Sequence, residues 1–276
     1  MTTIIVGKRS NLSKELNRKI KDSMIISSKE FLNLKNKNKT NIIINNFFPA
    51  SEINNLDNYD NFINLSLSNL AKALDQINKK KIRKIIYTSS SSIYGFDVSS
   101  NFKDDRNREI YSKAKFLAET IIINFCKKND IKFIIARVFN IYGNNDKFSI
   151  ISKIIKSFKK KNFFYLNNLG SAIRDFISYE QVCEVYKKML NSNDSGVYDV
   201  GCAEGYQINE IIDFLGKKNF LLKKKSVTEI PISVAEKNKF NHFLSSNKLV
   251  EYLKKNLNIK KNYNFSKHLV KKNISL

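Results

Sequence analysis

The sequence predicts an α/β protein built on a doubly wound parallel sheet. Through the N-terminal half, short Ile- and Val-rich runs alternate with longer amphipathic stretches, the pattern of parallel strands joined by helical crossovers. Glycine is scarce, at 8 in 276 residues, yet Gly7, Gly95, Gly143 and Gly201 fall where the chain must turn sharply after a strand. The length suits one large domain or a domain with a smaller lobe.

Thr3–Val6 reads as a buried strand, followed by a polar turn and a helix over about Asn11–Lys21. Met24–Ser27 and Asn41–Asn45 are the next strands. Phe62, Ile63, Leu67, Leu70, Ala71 and Leu74 recur at helical spacing and predict a helix over roughly Tyr59–Asn78. Lys84–Ser89 is a strand, Glu109–Lys128 a helix, and Lys132–Val138 a strand. The later part predicts helices near Phe148–Lys159, Glu180–Leu190, Ile208–Leu215 and Lys248–Lys254. Strands are expected at Asn162–Leu166, Ala172–Ile177 and Gly196–Val200, and the lysine-rich tail after Asn256 is weakly patterned.

Lys and Arg number 49 against 25 acidic residues, a formal charge of +24. Such a charge can signal nucleic acid or an anionic membrane. The lysines are spread along the chain, however, and Lys, Asn and Ile are abundant while Gly, Pro, Arg and Trp are scarce, as AT-rich codon usage produces. Solvated surface lysine with a general attraction for anionic substrates is the reading, and nucleic acid is not expected as a partner. No apolar run approaches the length of a membrane span, so no membrane insertion is expected. Met1-Thr2-Thr3-Ile4 lacks the features of a signal peptide. Cys126, Cys183 and Cys202 form no metal or disulfide pattern, which predicts a cytoplasmic protein with no metal site.

Tyr111 and Lys115 stand one helical turn apart, so a phenol and an ammonium can share a helix face. Upstream, Ile85-Ile86-Tyr87-Thr88-Ser89-Ser90-Ser91-Ser92-Ile93-Tyr94-Gly95 is an apolar strand running into a hydroxyl-rich loop. In a parallel α/β sheet, such a loop at a strand's carboxyl end is where ligands bind. A free tyrosine has a pKa near 10, and a nearby cation is expected to lower it toward the working range of a base.

With these residues in place, the chain resembles the extended short-chain dehydrogenase/reductases that act on nucleotide sugars, the NAD(P)-dependent epimerase/dehydratase/reductase group. The serine loop ending in Ile93-Tyr94-Gly95 and the Y-x-x-x-K of Tyr111-Ser112-Lys113-Ala114-Lys115, extended by Glu119, match in order. So do Arg137-Val138-Phe139-Asn140-Ile141-Tyr142-Gly143, Arg174-Asp175-Phe176-Ile177 and Tyr198-Asp199-Val200-Gly201 with Gln207-Ile208-Asn209-Glu210. The resemblance implies a Rossmann-type sheet at 1–143, with 173–201 returning to it, and a smaller C-terminal substrate-binding lobe from 144–172 and 202–276. By resemblance, Ser90, Tyr111 and Lys115 are catalytic: Tyr111 is the acid/base, Ser90 orients the reacting oxygen, and Lys115 also holds the nicotinamide ribose. Ser91, Ser92 and Asn140 are candidate substrate contacts. Arg174 and Asp175 read equally as an ion pair or as substrate contacts.

The family's first turn, G-x-x-G-x-x-G, here reads Gly7-Lys8-Arg9-Ser10-Asn11-Leu12-Ser13, with serine in place of the second and third glycines. Gly7, Arg9, Ser10, Asn11 and Leu12 are the expected cofactor contacts of this turn, joined by Ser27 and Lys115. No acid follows Met24-Ile25-Ile26 directly, and Arg9 stands where NADP-using relatives carry an arginine. The expectation is NADP(H), with NAD(H) as the alternative.

Missing residues narrow the reaction. Sugar 4,6-dehydratases carry Asp-Glu after the catalytic threonine, where this chain has Ser91 and Ser92. GDP-fucose synthases place a cysteine and a histidine at the positions of Ser92 and Ser178. His242 and His268 are expected on the surface. Reduction of a 4-keto nucleotide sugar to a deoxy-sugar nucleotide, serving surface polysaccharide synthesis, is therefore the primary expectation. NAD-dependent 4-epimerisation is the alternative, and a non-catalytic nucleotide- or RNA-binding role is a third. Relatives dimerise through two helices, here about Tyr59–Asn78 and Glu109–Lys128, so a homodimer is expected; Ala71, Leu74, Phe116, Leu117 and Ile121 could line its interface or face their own sheet.

Overall fold

Isoleucine and valine, stiff at χ1 and at home on pleated surfaces, fill the central strands. The computed structural model describes residues 2–45, 47, 59–96, 106–144, 146–160, 164–166, 170–215, 220–222, 234–244, 248–260 and 265. Strands β1 (Thr3–Val6), β2 (Ser23–Ile26), β3 (Thr40–Ile44), β4 (Ile82–Ser90), β5 (Lys132–Val138) and β9 (Gly196–Val200) form one six-stranded sheet in the order β2-β1-β3-β4-β5-β9. β1 pairs in parallel with β2 and β3, and β3 in parallel with β4. The doubly wound parallel sheet read from the sequence is what the chain forms.

Helices α1 (Asn11–Lys19), α2 (Ser28–Leu32), α3 (Tyr59–Ile63), α4 (Asn69–Gln76), α5 (Arg106–Lys128) and α7 (Tyr179–Asn191) accompany these strands. The helix expected over 59–78 is interrupted by a π-helical stretch, Asn64–Ser68, between α3 and α4. β4 ends at Ser90 and passes into a 3₁₀ turn, Ser91–Phe96. The usual dinucleotide fold orders its strands 3-2-1-4-5-6. Here β2 is the sheet's edge, because residues 27–39 contain only the five-residue α2 where another strand would lie beyond it.

By its contacts the chain divides into two compact units, one of residues 1–96, 105–137 and 183–198, the other of 97–104, 138–182 and 199–276. The first is built on an apolar core that includes Ile4, Val6, Ile42, Ile44, Leu70, Leu74, Ile85, Ala118 and Ile122. Lys84 on β4 is buried, 1% exposed. Its Nζ donates to the carbonyls of Met189 (2.6 Å) and Ser192 (2.6 Å), so a β4 ammonium caps the C-terminal end of α7. Burial nevertheless pushes its pKa down to about 8.

The second unit holds β6 (Asn140–Tyr142), β8 (Ile173–Ser178) and β10 (Gly205–Gln207) in one sheet, and β7 (Phe164–Leu166) paired with β11 (Phe220–Leu222). Helices α6 (Ile150–Lys160), α8 (Ile208–Leu215) and α9 (Lys248–Leu257) contribute to its core, which includes Ile151, Ile154, Phe176, Ile211, Leu249 and Leu253. Its polar centre is Asp175, fully buried, whose carboxylate accepts the backbone N–H groups of Cys202 (2.9 Å), Ala203 (2.7 Å) and Ala235 (3.1 Å). Gly201 is required there by space: a Cβ would lie 2.6 Å from Ala235 Cβ and 2.8 Å from Asp175 Oδ2. Among the described residues, no helix is long and apolar enough to cross a membrane, and no group of three or more His, Cys, Asp or Glu side chains is placed to hold a metal ion.

Candidate active site

Lys115 and Tyr111 lie one turn apart on α5, on the side facing β4. Lys115 is 3% exposed and its Nζ donates to the Thr88 carbonyl at 2.9 Å. The same Nζ sits 4.9 Å from the ring centroid of Tyr87 and 5.8 Å from that of Tyr111. Thus the ammonium, two tyrosine rings and the end of the strand leading to Ser90 form one group. Burial pushes the Tyr111 phenol up to about 12 and the Lys115 ammonium down to about 7, the latter partly offset by Glu119. The expected lowering of Tyr111 is not met: its own desolvation dominates, and Lys115 directs a hydrogen bond to a carbonyl.

One turn further along α5, Glu119 anchors a network to which the sequence assigned no role. Its carboxylate accepts from Arg137 Nε (3.2 Å) and Nη2 (2.9 Å) and from the Ser89 hydroxyl. Arg137 Nη1 donates to Tyr94 Oη at 3.2 Å, and its guanidinium lies 5.1 Å from that ring's centroid. Helix α5, strands β4 and β5 and the 3₁₀ turn are thereby tied around Ser90. The signal was in the spacing, since Tyr111, Lys115 and Glu119 recur every four residues along one helix face.

Ser90 Oγ accepts the Ser92 N–H at 3.2 Å, closing the turn after β4. Ser92 Oγ is buried and without a hydrogen-bond partner among the described residues, and Ser91 is partly buried. Asn140 belongs to the second unit, where its Nδ2 donates to the Asp175 carbonyl at 2.9 Å. Asp175 is committed to backbone amides, and Arg174 Nη1 donates to the Ile173 carbonyl at 2.8 Å. His242 is exposed, with Nδ1 2.9 Å from the Lys239 carbonyl, and His268 lies outside the described residues.

The turn after β1 keeps the shape its glycine permits, with Gly7 at φ 124° and its N–H donated to the Ile26 carbonyl at 2.9 Å. Ser10 is the N-cap of α1 but makes no side-chain cap bond; its hydroxyl accepts from Asn45 Nδ2 at 2.9 Å. Lys8 and Arg9 are exposed, Asn11 is partly buried and Leu12 is buried. Ser27 caps α2 instead of ending β2. Its hydroxyl accepts the Glu30 N–H at 3.2 Å while Glu30 Oε2 accepts the Ser27 N–H at 2.6 Å. The expectation that no carboxylate stands at the end of β2 is therefore corrected. Glu30 folds back to that point, with Oε1 3.9 Å from Lys8 Nζ, and the Ser27 hydrogen bonds and Lys8 hold its pKa below the ordinary value. A left-handed glycine, a helix start whose cap hydroxyl is turned elsewhere and an acid at the end of the second strand fit a dinucleotide.

The NAD dependent epimerase/dehydratase family matches residues 4–201. The UDP-glucose 4-epimerase of Lactobacillus helveticus is 25% identical over 189 residues, 60% of this chain and 56% of that enzyme. The chain spans about half the length of the curated relatives it matches. The UDP-N-acetylglucosamine 4-epimerase of Methanobrevibacter ruminantium M1, solved with UDP-N-acetylmuramic acid, shares the fold at a TM-score of 0.73 and 18% identity, covering 93% of this chain and 97% of that one. The UDP-glucuronic acid 4-epimerase of Bacillus cereus, solved with UDP-glucuronic acid and NAD, gives a TM-score of 0.64 at 17% identity, covering 91% and 93%. These likenesses agree with the motifs running from the Gly7 turn to Gly201, and the chain belongs to the NAD dependent epimerase/dehydratase family.

Proposed function

We propose that the chain is an NAD-dependent 4-epimerase of a UDP-sugar. The observation that carries this is the grouping of Tyr111, Lys115 and the Thr88 carbonyl beside Ser90, with serines at positions 91, 92 and 178 where elimination or epimerisation of ring carbons would need stronger acids or bases. Reduction of a 4-keto sugar uses the same residues, but the matched relatives named above are 4-epimerases, and this moves the reading from reductase to epimerase. Glu30 at the end of β2 supports NAD over NADP, because an acid there suits a ribose 2′-hydroxyl and repels a 2′-phosphate.

Bound nicotinamide supplies a reversible hydride acceptor and, when oxidised, a positive charge. Tyr111 exchanges a proton with the sugar 4-hydroxyl, taking it in the first half of the cycle and returning it in the second. Ser90 hydrogen-bonds the same oxygen and fixes its direction. Lys115, held by the Thr88 carbonyl, sets a positive charge near the phenol in its protonated form, and burial of the phenol otherwise retains the phenolic proton. The first unit carries Ser90, Tyr111 and Lys115. Incubated with NAD and UDP-glucose, UDP-N-acetylglucosamine or UDP-glucuronic acid, the protein is expected to yield the C4 epimer by NMR with no net change in reduced nicotinamide. Stoichiometric oxidation of NADPH by a 4-keto sugar nucleotide, with no epimer formed, would return the assignment to a reductase.

The assembly is proposed to be a homodimer. Leu74 lies in its own core and Ile121 packs partly against it, while Ala71 is exposed. Phe116 (43% exposed) and Leu117 (48%) on α5, and Ile63 and Leu65 on the neighbouring helical segment, are exposed large apolar side chains. Sedimentation is expected to give twice the chain mass, and Leu117→Glu to give the single chain.

A further inference from the structure

The two serines that displace glycines in the cofactor turn share one partner. Asn45, directly after β3, donates Nδ2 to Ser10 Oγ at 2.9 Å and to Ser13 Oγ at 2.7 Å. Its backbone N–H continues the β1–β3 ladder to the Val6 carbonyl at 3.1 Å, so the donor is fixed to the sheet. Asn45 and Ser13 are both buried. A third glycine in this turn normally lets the helix pack close to the strands. Serine puts a hydroxymethyl group there, and a buried hydroxyl is unfavourable unless it is hydrogen-bonded. One amide satisfies Ser13 and draws the Ser10 hydroxyl off the start of α1, away from the N–H groups that an N-cap serine ordinarily takes.

We propose that Asn45 is a positioning residue for dinucleotide binding, clasping Ser10 and Ser13 so that the serine-substituted turn keeps the α1 N-terminus open to the pyrophosphate. This rests on the NAD reading above. The serines and Asn45 then form one unit. With glycines restored at positions 10 and 13, the amide has nothing to hold and its removal matters little.

The test is a cycle of Asn45→Leu, Ser10→Gly/Ser13→Gly and the triple variant, read as the NAD dissociation constant by calorimetry. In the serine turn, Asn45→Leu is expected to weaken NAD about tenfold, the scale of losing a buried hydrogen-bonded pair. In the glycine turn the same change is expected to alter affinity less than about twofold. Equal losses in both backgrounds, or none in the serine turn, overturn the clasp while leaving NAD binding by the unaltered protein intact. Failure of the unaltered protein to bind NAD overturns the cofactor reading and the clasp together. Should Asn45→Leu not fold, Ser10→Ala reads the clasp from its outer end. It is expected to weaken NAD and to speed hydrogen exchange at the amides of residues 10–13, and no change in either overturns the proposal.

Discussion

Tyr111→Phe is expected to lower turnover by about three orders of magnitude while changing NAD and UDP-sugar dissociation constants less than about twofold. The substitution removes one oxygen and keeps the ring that packs against the core beside Lys115. On the proposed mechanism only proton exchange with the substrate hydroxyl is lost, so the effect should fall on kcat at saturating substrate. Calorimetry and steady-state rates on the same preparation check this. Turnover within tenfold of the unaltered protein would remove Tyr111 from the chemistry. A large rise in dissociation constants would make it a binding residue instead.

Glu119→Leu is expected to destabilise the protein by about 3–5 kcal/mol, because it strands the Arg137 guanidinium in a buried site. For a chain this long the melting temperature should fall by on the order of 10 °C. Replacing both partners, Glu119→Leu with Arg137→Met, should recover most of that loss, since two apolar side chains of similar size leave no charge behind. A double variant as unstable as the single one would show that the network's geometry, and not the uncompensated charge, is what matters. Scanning calorimetry separates the two outcomes.

The sheet was legible because its strands are runs of Ile and Val with few alternatives, and Lys132–Val138 and Gly196–Val200 fall where they were expected. Short pieces were not legible. β6 and β10 have three residues each, too few for a period, and α2 is a single turn set by its cap. Ser27 and Glu30 do carry the capping-box spacing, a local signal in the sequence for a carboxylate at the end of β2. The clasp around Asn45 joins residues 32 and 35 positions apart and leaves no local trace. Glu119 and Arg137 were visible as motif members, but their pairing depends on how α5 lies across β4 and β5.

Lys84 is expected to constrain the order in which the chain folds. It stands on an inner strand of the sheet, and the carbonyls that receive its ammonium belong to residues about a hundred positions later. A nascent chain that has emerged only through β5 has the strand but not the acceptors, so it must either keep that lysine wet or leave β4 loosely paired. The first unit is therefore expected to stay open until α7, which carries those acceptors, has been made.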